Sequence, residues 1–153
     1  MREIKYRGME INGSWHYGLL AHTESKGVCS DKGWFICNKA GSPFAYHIRP
    51  ETIGQYTGLK DSKGVDIYEG DIVYACDIER LGSFNIPDNC IGKELYRNEW
   101  TGVVEYQDGN FAIKGDSIPI CKWSKDYGLG QDEDHYIEVI GNIHQDKELL
   151  NDH

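Results

Sequence analysis

Residues 49–75, RPETIGQYTGLKDSKGVDIYEGDIVYA, constrain this chain more than any other stretch, because turn-forming residues there sit between two runs of β-formers. Pro50 suits a first helical position, since its ring presets φ and its missing N–H would have no partner there. Gly54 is a poor helix residue, so Glu51, Thr52 and Ile53 can extend that start by only a turn or so. Residues 57–64, TGLKDSKG, are rich in side chains that bond their own backbone or tolerate positive φ, and they read as a tight turn. The run IYEGDIVY at 67–74 then sets Gly70 among β-branched and aromatic residues, a pattern for a bulge or sharp bend leading into a strand.

The rest of the chain extends this β reading to both sides. Ile4-Lys5-Tyr6-Arg7 alternates apolar and charged residues, Asn12-Gly13 is a short hairpin turn, and residues 15–20 return as a second strand. Residues 34–37 and 46–48 complete a small N-terminal sheet of about three to four strands. Beyond Asp71, strands are expected at 72–76, 100–106, 111–114, 118–123 and 136–143, with Gln107-Asp108-Gly109-Asn110 as a hairpin turn and Pro119 confining its strand to an edge or a strand start. Such short, hairpin-linked strands suit a closed barrel, which leaves no exposed edge. Residues 78–98 read as an inserted loop with a short helical turn near 93–96. Helix is otherwise scarce, with residues 146–150 the best candidate. The expected organisation is therefore an N-terminal β region with its connecting turn at 1–60 and a barrel at 61–153.

The run from Arg49 to Val73 resembles the YopX family of phage and prophage proteins, and so do MREIKYRG at 1–8, WHYGLL at 15–20, EVIGNI at 138–143 and ELL at 148–150. The middle, about 78–99, departs from that pattern. The resemblance implies a mostly β protein with an SH3-like barrel in its C-terminal part. It brings no enzymatic activity, catalytic residue or cofactor, and implies a cytoplasmic protein of a phage's or prophage's host cell.

Charge and composition bear on partners. Residues 1–60 hold 8 Lys and Arg against 5 Asp and Glu, whereas residues 61–153 hold 8 against 20, so net charges of +3 and −12 make up the total of −9. Charge of this sign gains little from phosphate, which disfavours nucleic acid as a partner. Such charge serves solubility, and a positive portion of one copy could also meet the negative portion of another in a homo-oligomer. No apolar run of membrane-spanning or signal-peptide type occurs, so a cytosolic location is expected. The five cysteines, Cys29, Cys37, Cys76, Cys90 and Cys121, include no C-x-x-C pair, and the expectation is reduced thiols and no zinc.

Motifs with a mechanism are missing. The six histidines show no H-x-x-x-H or H-E-x-x-H spacing, and no G-x-S-x-G or phosphate-loop signature is present. Gln131-Asp132-Glu133-Asp134-His135 lacks the spacing and glycine of a calcium loop and reads as a solvated acidic turn. The reading is a non-enzymatic protein with no catalytic, cofactor or metal residues. Its candidate binding surface is aromatic and acidic: Tyr56, Tyr68, Glu69, Asp71, Tyr74, Trp100 and Tyr106, with Trp123 and Glu105 beside them. Aromatics in a groove would hold an extended peptide or a nucleic-acid strand, although the simpler role for Trp and Tyr is to fill a core. The acidic neighbours favour a basic peptide over a phosphate backbone.

Overall fold

A computed structural model describes residues 3–24, 32–38, 45–80, 95–115, 117–123 and 135–150, with backbone alone at 79–80 and 95–96. The chain is all-β with short 3-10 turns, and it divides into two compact units. The first comprises Met1–Lys60 with Asp66–Gly70, and the second Asp61–Val65 with Asp71–His153.

The first unit is one antiparallel sheet of six strands: β1 (Tyr6–Met9), β2 (Trp15–Thr23), β3 (Gly33–Cys37), β4 (Ala45–Ile48), β5 (Gly54–Lys60) and β6 (Asp66–Tyr68), in the order β4-β3-β2-β1-β5-β6. The sheet is larger than the sequence suggested because residues 54–60, read in part as a turn, are a strand paired to both β1 and β6. Two residue pairs, Tyr56↔Tyr68 and Lys60↔Asp66, hold β5 against β6 across a register shift. The β1–β2 hairpin turns at Asn12-Gly13, with Gly13 at φ 89° and the Asn12 side chain accepting from the Ser14 N–H. Pro50–Thr52 forms a 3-10 turn, and the Thr52 hydroxyl accepts the Met9 N–H.

Strand alternation sorts the side chains of this sheet. His16, Gly18, Leu20 and His22 share one face with Trp34, Ile36, Tyr46 and Ile48. On it Ile36 and Ile48 are buried, His16 stacks on Tyr46 and His22 on Trp34. Close approach at this face depends on Gly18 (φ 159°), because a Cβ there would overlap the backbone carbonyl of Cys37.

The second unit is a five-stranded antiparallel sheet: β7 (Asp71–Arg80), β8 (Leu95–Gln107), β9 (Asn110–Ile113), β10 (Ile118–Pro119) and β11 (His135–Asn142), in the order β10-β9-β8-β7-β11. Gly70, at φ 82°, makes the bend into β7 that the sequence pattern called for. Ile72, Val73, Ala75, Cys76, Val104, Ile113, Ile120, Trp123 and Ile137 form its core.

The expected closed barrel is not present: the sheet is open, with β10 and β11 at its edges rather than paired. The reason lies in those two strands. β10 is two residues long and includes Pro119, which has no N–H to donate, and the chain leaves it at once for a 3-10 turn at Ile120–Trp123 in place of the longer strand expected there. On β11 the outward backbone is already bonded, because Ser62 and Asp61 reach it from the turn at 61–65. The expected insertion is also shorter than the sequence suggested, since 78–80 and 95–98 pair as continuations of β7 and β8 and residues 81–94 lie outside the described residues. The helical turn expected near 93–96 is replaced by strand at 95–96. The C-terminal candidate is a 3-10 turn, Lys147–Leu150.

Candidate functional site

Strand β2 of the first unit turns its more apolar alternation outward. Trp15, Tyr17, Leu19 and Ala21 of β2 share a face with Phe35 and Cys37 of β3 and with Ala45 and His47 of β4. Tyr17 is 49% exposed and Leu19 61%. His47 packs on Phe35 with ring centroids 5.0 Å apart. Across these three strands the face carries no formal charge, in a chain of which 27% is Asp, Glu, Lys or Arg. The rule of a buried apolar alternation would put 15, 17 and 19 inward. Here Ile36 and Ile48 take the inward side, and Tyr17 and Leu19 remain outside.

Toward β1, β5 and β6 the same face becomes polar and then buried. The Arg7 guanidinium lies between the rings of Trp15, 4.9 Å away, and Tyr68, 5.3 Å away, and donates to the Glu69 carbonyl at 3.1 Å. Tyr17 leans on Tyr68 at 5.5 Å, and Tyr68 on Tyr56 at the same distance. Beside them Lys5 pairs with Asp66 at 2.5 Å and sits 4.3 Å from the Tyr56 ring centroid, while Lys60 reaches the other oxygen of Asp66 at 2.6 Å. Burial alone would raise the Asp66 carboxyl, but the two ammonium groups outweigh it and hold the pKa below the usual 3.8. The Lys5 ammonium is pushed up to about 12, chiefly by its hydrogen bond to Asp66. Burial pushes the Tyr68 phenol up to about 12.

In the second unit the polar clusters are spent on structure. Asp61, 3% exposed, accepts the N–H groups of Lys63 (2.9 Å) and Val65 (2.8 Å) on one oxygen and that of Val139 (3.2 Å) on the other. Asp77, 2% exposed, forms an ion pair with Lys122, and His135 Nε2 lies 3.2 Å from its second oxygen. The Lys122 ammonium rests 5.2 Å from the Trp100 ring centroid and 5.7 Å from that of Trp123, whose indole N–H donates to the Cys76 carbonyl at 3.0 Å. Burial pushes the Cys76 thiol up, away from a reactive thiolate. Cys37, Cys76 and Cys121 are free, and no group of three metal-ligating side chains occurs among the described residues.

The seven residues singled out from sequence fall in both units. Tyr56, Tyr68 and Glu69 belong to the first, where both rings are buried. Asp71, Tyr74, Trp100 and Tyr106 belong to the second. There Asp71 is 1% exposed, Tyr106 is 58% exposed with its ring edge-on to Phe111, and Trp100 is edge-on to Trp123. The Tyr74 hydroxyl donates to Glu99 at 2.5 Å, and burial, aided by that bond, pushes its pKa up to about 12. Sequence reasoning missed Tyr17, Leu19, Phe35 and His47, although the W-x-Y-x-L alternation at 15–19 was there to be read. Of the acidic run, 131–134 lie outside the described residues, and His135 faces Asp77.

A chain of this kind is an all-β protein of two open antiparallel sheets, and among the described residues one face of the first sheet carries no charged side chain across β2, β3 and β4. The YopX protein family profile matches residues 5–151, so the chain belongs to the YopX family. Among solved structures, the crystal structure of protein EF1440 from Enterococcus faecalis is similar, at 22% identity over 98% of this chain and 99% of that one and a TM-score of 0.48. No curated protein matches the chain. No helix among the described residues is long and apolar enough to cross a membrane.

Proposed function

We propose that this chain is a non-enzymatic accessory protein of a phage or prophage, working in the host cytoplasm through protein–protein contacts that include self-association. The observation that carries the reading is the outward apolar alternation of β2, with Tyr17 and Leu19 exposed beside Phe35 and Cys37. Apolar side chains side by side on an uncharged sheet face are suited to contact with another protein. Two further features support contact over catalysis: the buried carboxylates of Asp61 and Asp77 are engaged by backbone amides and by Lys122, and burial pushes the Cys76 thiol up, away from a reactive thiolate. Nucleic acid remains disfavoured, because the unit holding Trp100 and Tyr106 has 8 basic against 18 acidic residues.

The test is site-specific photocrosslinking in producing cells, with the reactive residue placed at position 19 or at position 11. Ile11 is 94% exposed in the β1–β2 turn, off the apolar face, and serves as the control. The reading expects discrete protein adducts from position 19 and none from 11. Equal labelling at both, or no protein adduct at 19, removes it.

A further inference from the structure

We infer that the outer edge of β4 takes up an extended segment of a different protein as an added strand; this rests on the contact-protein reading above. Strand alternation gives the direction of each β4 backbone group, since the N–H and C=O of one residue point to one side and those of the next to the other. The Tyr56 N–H donates to the Lys5 carbonyl, so Lys5 and Arg7 point toward β5, and Tyr6 and Gly8 toward β2. Carried through the registers of β2, β3 and β4, the same count points Tyr46 and Ile48 at β3 and turns Ala45, His47 and Arg49 away from it. Arg49 bears this out: its N–H donates to the Met9 carbonyl at 2.9 Å, and its carbonyl accepts the Thr52 N–H. Ala45 and His47 are left with their N–H and C=O groups in line along the edge, and no hydrogen bond reaches those groups among the described residues. Both residues are exposed. The His47 ring leaves the edge clear, because it folds back on Phe35 and over Gly33, where a Cβ would collide with it.

No proline, charge or bulge interrupts Ala45–Ile48. Devices of that kind close the edges of the second sheet, where Pro119 ends β10 and Asp61 and Ser62 cover β11. The other edge of the first sheet, β6, is three residues long with Ile67 and Tyr68 buried. An alternating row of donors and acceptors is matched by another extended backbone, which makes the occupant a strand. Its side chains opposite Ala45 and His47 fall on the uncharged face with Phe35 and Cys37. A charged group there would lose water without gaining a partner, so those positions are apolar, the larger one beside the small Ala45. The contact ends at Arg49, whose backbone is already engaged, so the segment is short and its Kd is on the order of 0.1 mM. A second copy would set one net charge of −9 against another, which favours an uncharged or basic segment of a different protein.

Amide hydrogen exchange on the purified full chain tests this, with a capped peptide of alternating Thr and Leu between terminal lysines as the probe. At about 1 mM peptide the Ala45 and His47 amides should exchange roughly tenfold more slowly, while the Val139 amide, already held by Asp61, is unchanged. His47→Pro removes the outward N–H and spares the β3 bonds, which Tyr46 and Ile48 make, so it should fold, as matching urea curves verify, and lose the protection at Ala45. His47→Ala keeps the N–H and should retain that protection. N-methylating alternate peptide amides discriminates without any variant: one alternation abolishes the protection and the other leaves it. No saturable protection at Ala45 and His47, equal loss in the two His47 variants, or indifference to which amides are methylated overturns the inference. Protection that grows with protein concentration in the absence of peptide marks a second copy and overturns it too. Such failures leave the crosslinking result at position 19 intact, so the added-strand inference and the contact-protein reading fail separately.

Discussion

Replacing Asp61 tests how the second sheet protects its outer edge. Its carboxylate is 3% exposed and holds three backbone amides, two in its own turn and one on β11. A hydrogen bond to a charged acceptor contributes about 1.5–3 kcal/mol, and a buried donor left unpaired costs about 1–3 kcal/mol. Lys63 and Val65 are exposed residues, so water can replace the lost partner at their amides, while Val139 is only half-exposed. Asp61→Ala should therefore destabilise the second unit by about 2–4 kcal/mol, the largest share arising at Val139 and from the lost turn. Asp61→Asn keeps one carbonyl oxygen for the Lys63 and Val65 amides but sets its NH₂ against the Val139 N–H. Its expected cost is about 1–2 kcal/mol. Native-state hydrogen exchange reads this residue by residue: the Val139 amide should exchange roughly 10-fold or more faster in the Asn variant, with Val65 near wild type, and both should accelerate in the Ala variant. If Val139 protection were unchanged in either variant, or if Asn and Ala cost the same, the idea that a carboxylate stands in for a neighbouring strand would be wrong.

Other consequences follow from the same packing. Gly18→Ala forces a methyl into the Cys37 carbonyl and should cost about 2–3 kcal/mol in urea unfolding; a cost below half of that would mean the strands can part freely. Lys122→Met removes the partner of a buried carboxylate and should destabilise by about 3–5 kcal/mol, with Asp77→Asn in the same chain restoring part of the loss. Because the Asp66 pKa is depressed, its stabilisation is present above the usual 3.8 and is lost as pH falls through the folded value. Asp66→Asn should flatten that acid limb in pH-dependent urea midpoints and leave the others. Lys5, raised from 10.5 to about 12, gives the opposite case, its contribution present below 10.5 and lost between there and about 12; Lys5→Met should remove that alkaline loss.

What could be read from the sequence was governed by local chemistry. The Asn12-Gly13 hairpin, the Pro50 start and the Gly70 bend each depend on the conformational preferences of residues at that spot, and each appears where its residues put it. Residues 57–60 went unrecognised as strand because Thr57 and Gly58 score as turn residues, yet Thr57 donates its hydroxyl to the Ile67 carbonyl and so serves the β5–β6 pair instead. The expected barrel closure depended on non-local facts: that Ile118–Pro119 leaves the sheet after two residues, and that Asp61 and Ser62 occupy the edge of β11. The outward face of β2 failed for a similar reason. Hydrophobic periodicity assigns the more apolar side inward, and here glycine at position 18 and the bulk of Ile36 and Ile48 decide the inner side instead.

The two sheets differ in how they treat exposed backbone and exposed apolar side chains. In the second unit each edge is terminated: β10 by its length and Pro119, and β11 by side chains that satisfy its outward amides. Such devices keep a sheet from recruiting a foreign strand. They leave that unit as a strongly acidic body whose buried ions are internally paired. The first unit puts Tyr17 and Leu19 in solvent, a choice that a protein with no use for contact would have reason to reverse, since exchanging the apolar and polar alternations of one strand needs only a few substitutions. Retaining exposed apolar surface carries an aggregation risk that is tolerable when the surface is small and has a defined occupant. A patch of three short strands, on the unit whose net charge is close to zero, keeps that surface small.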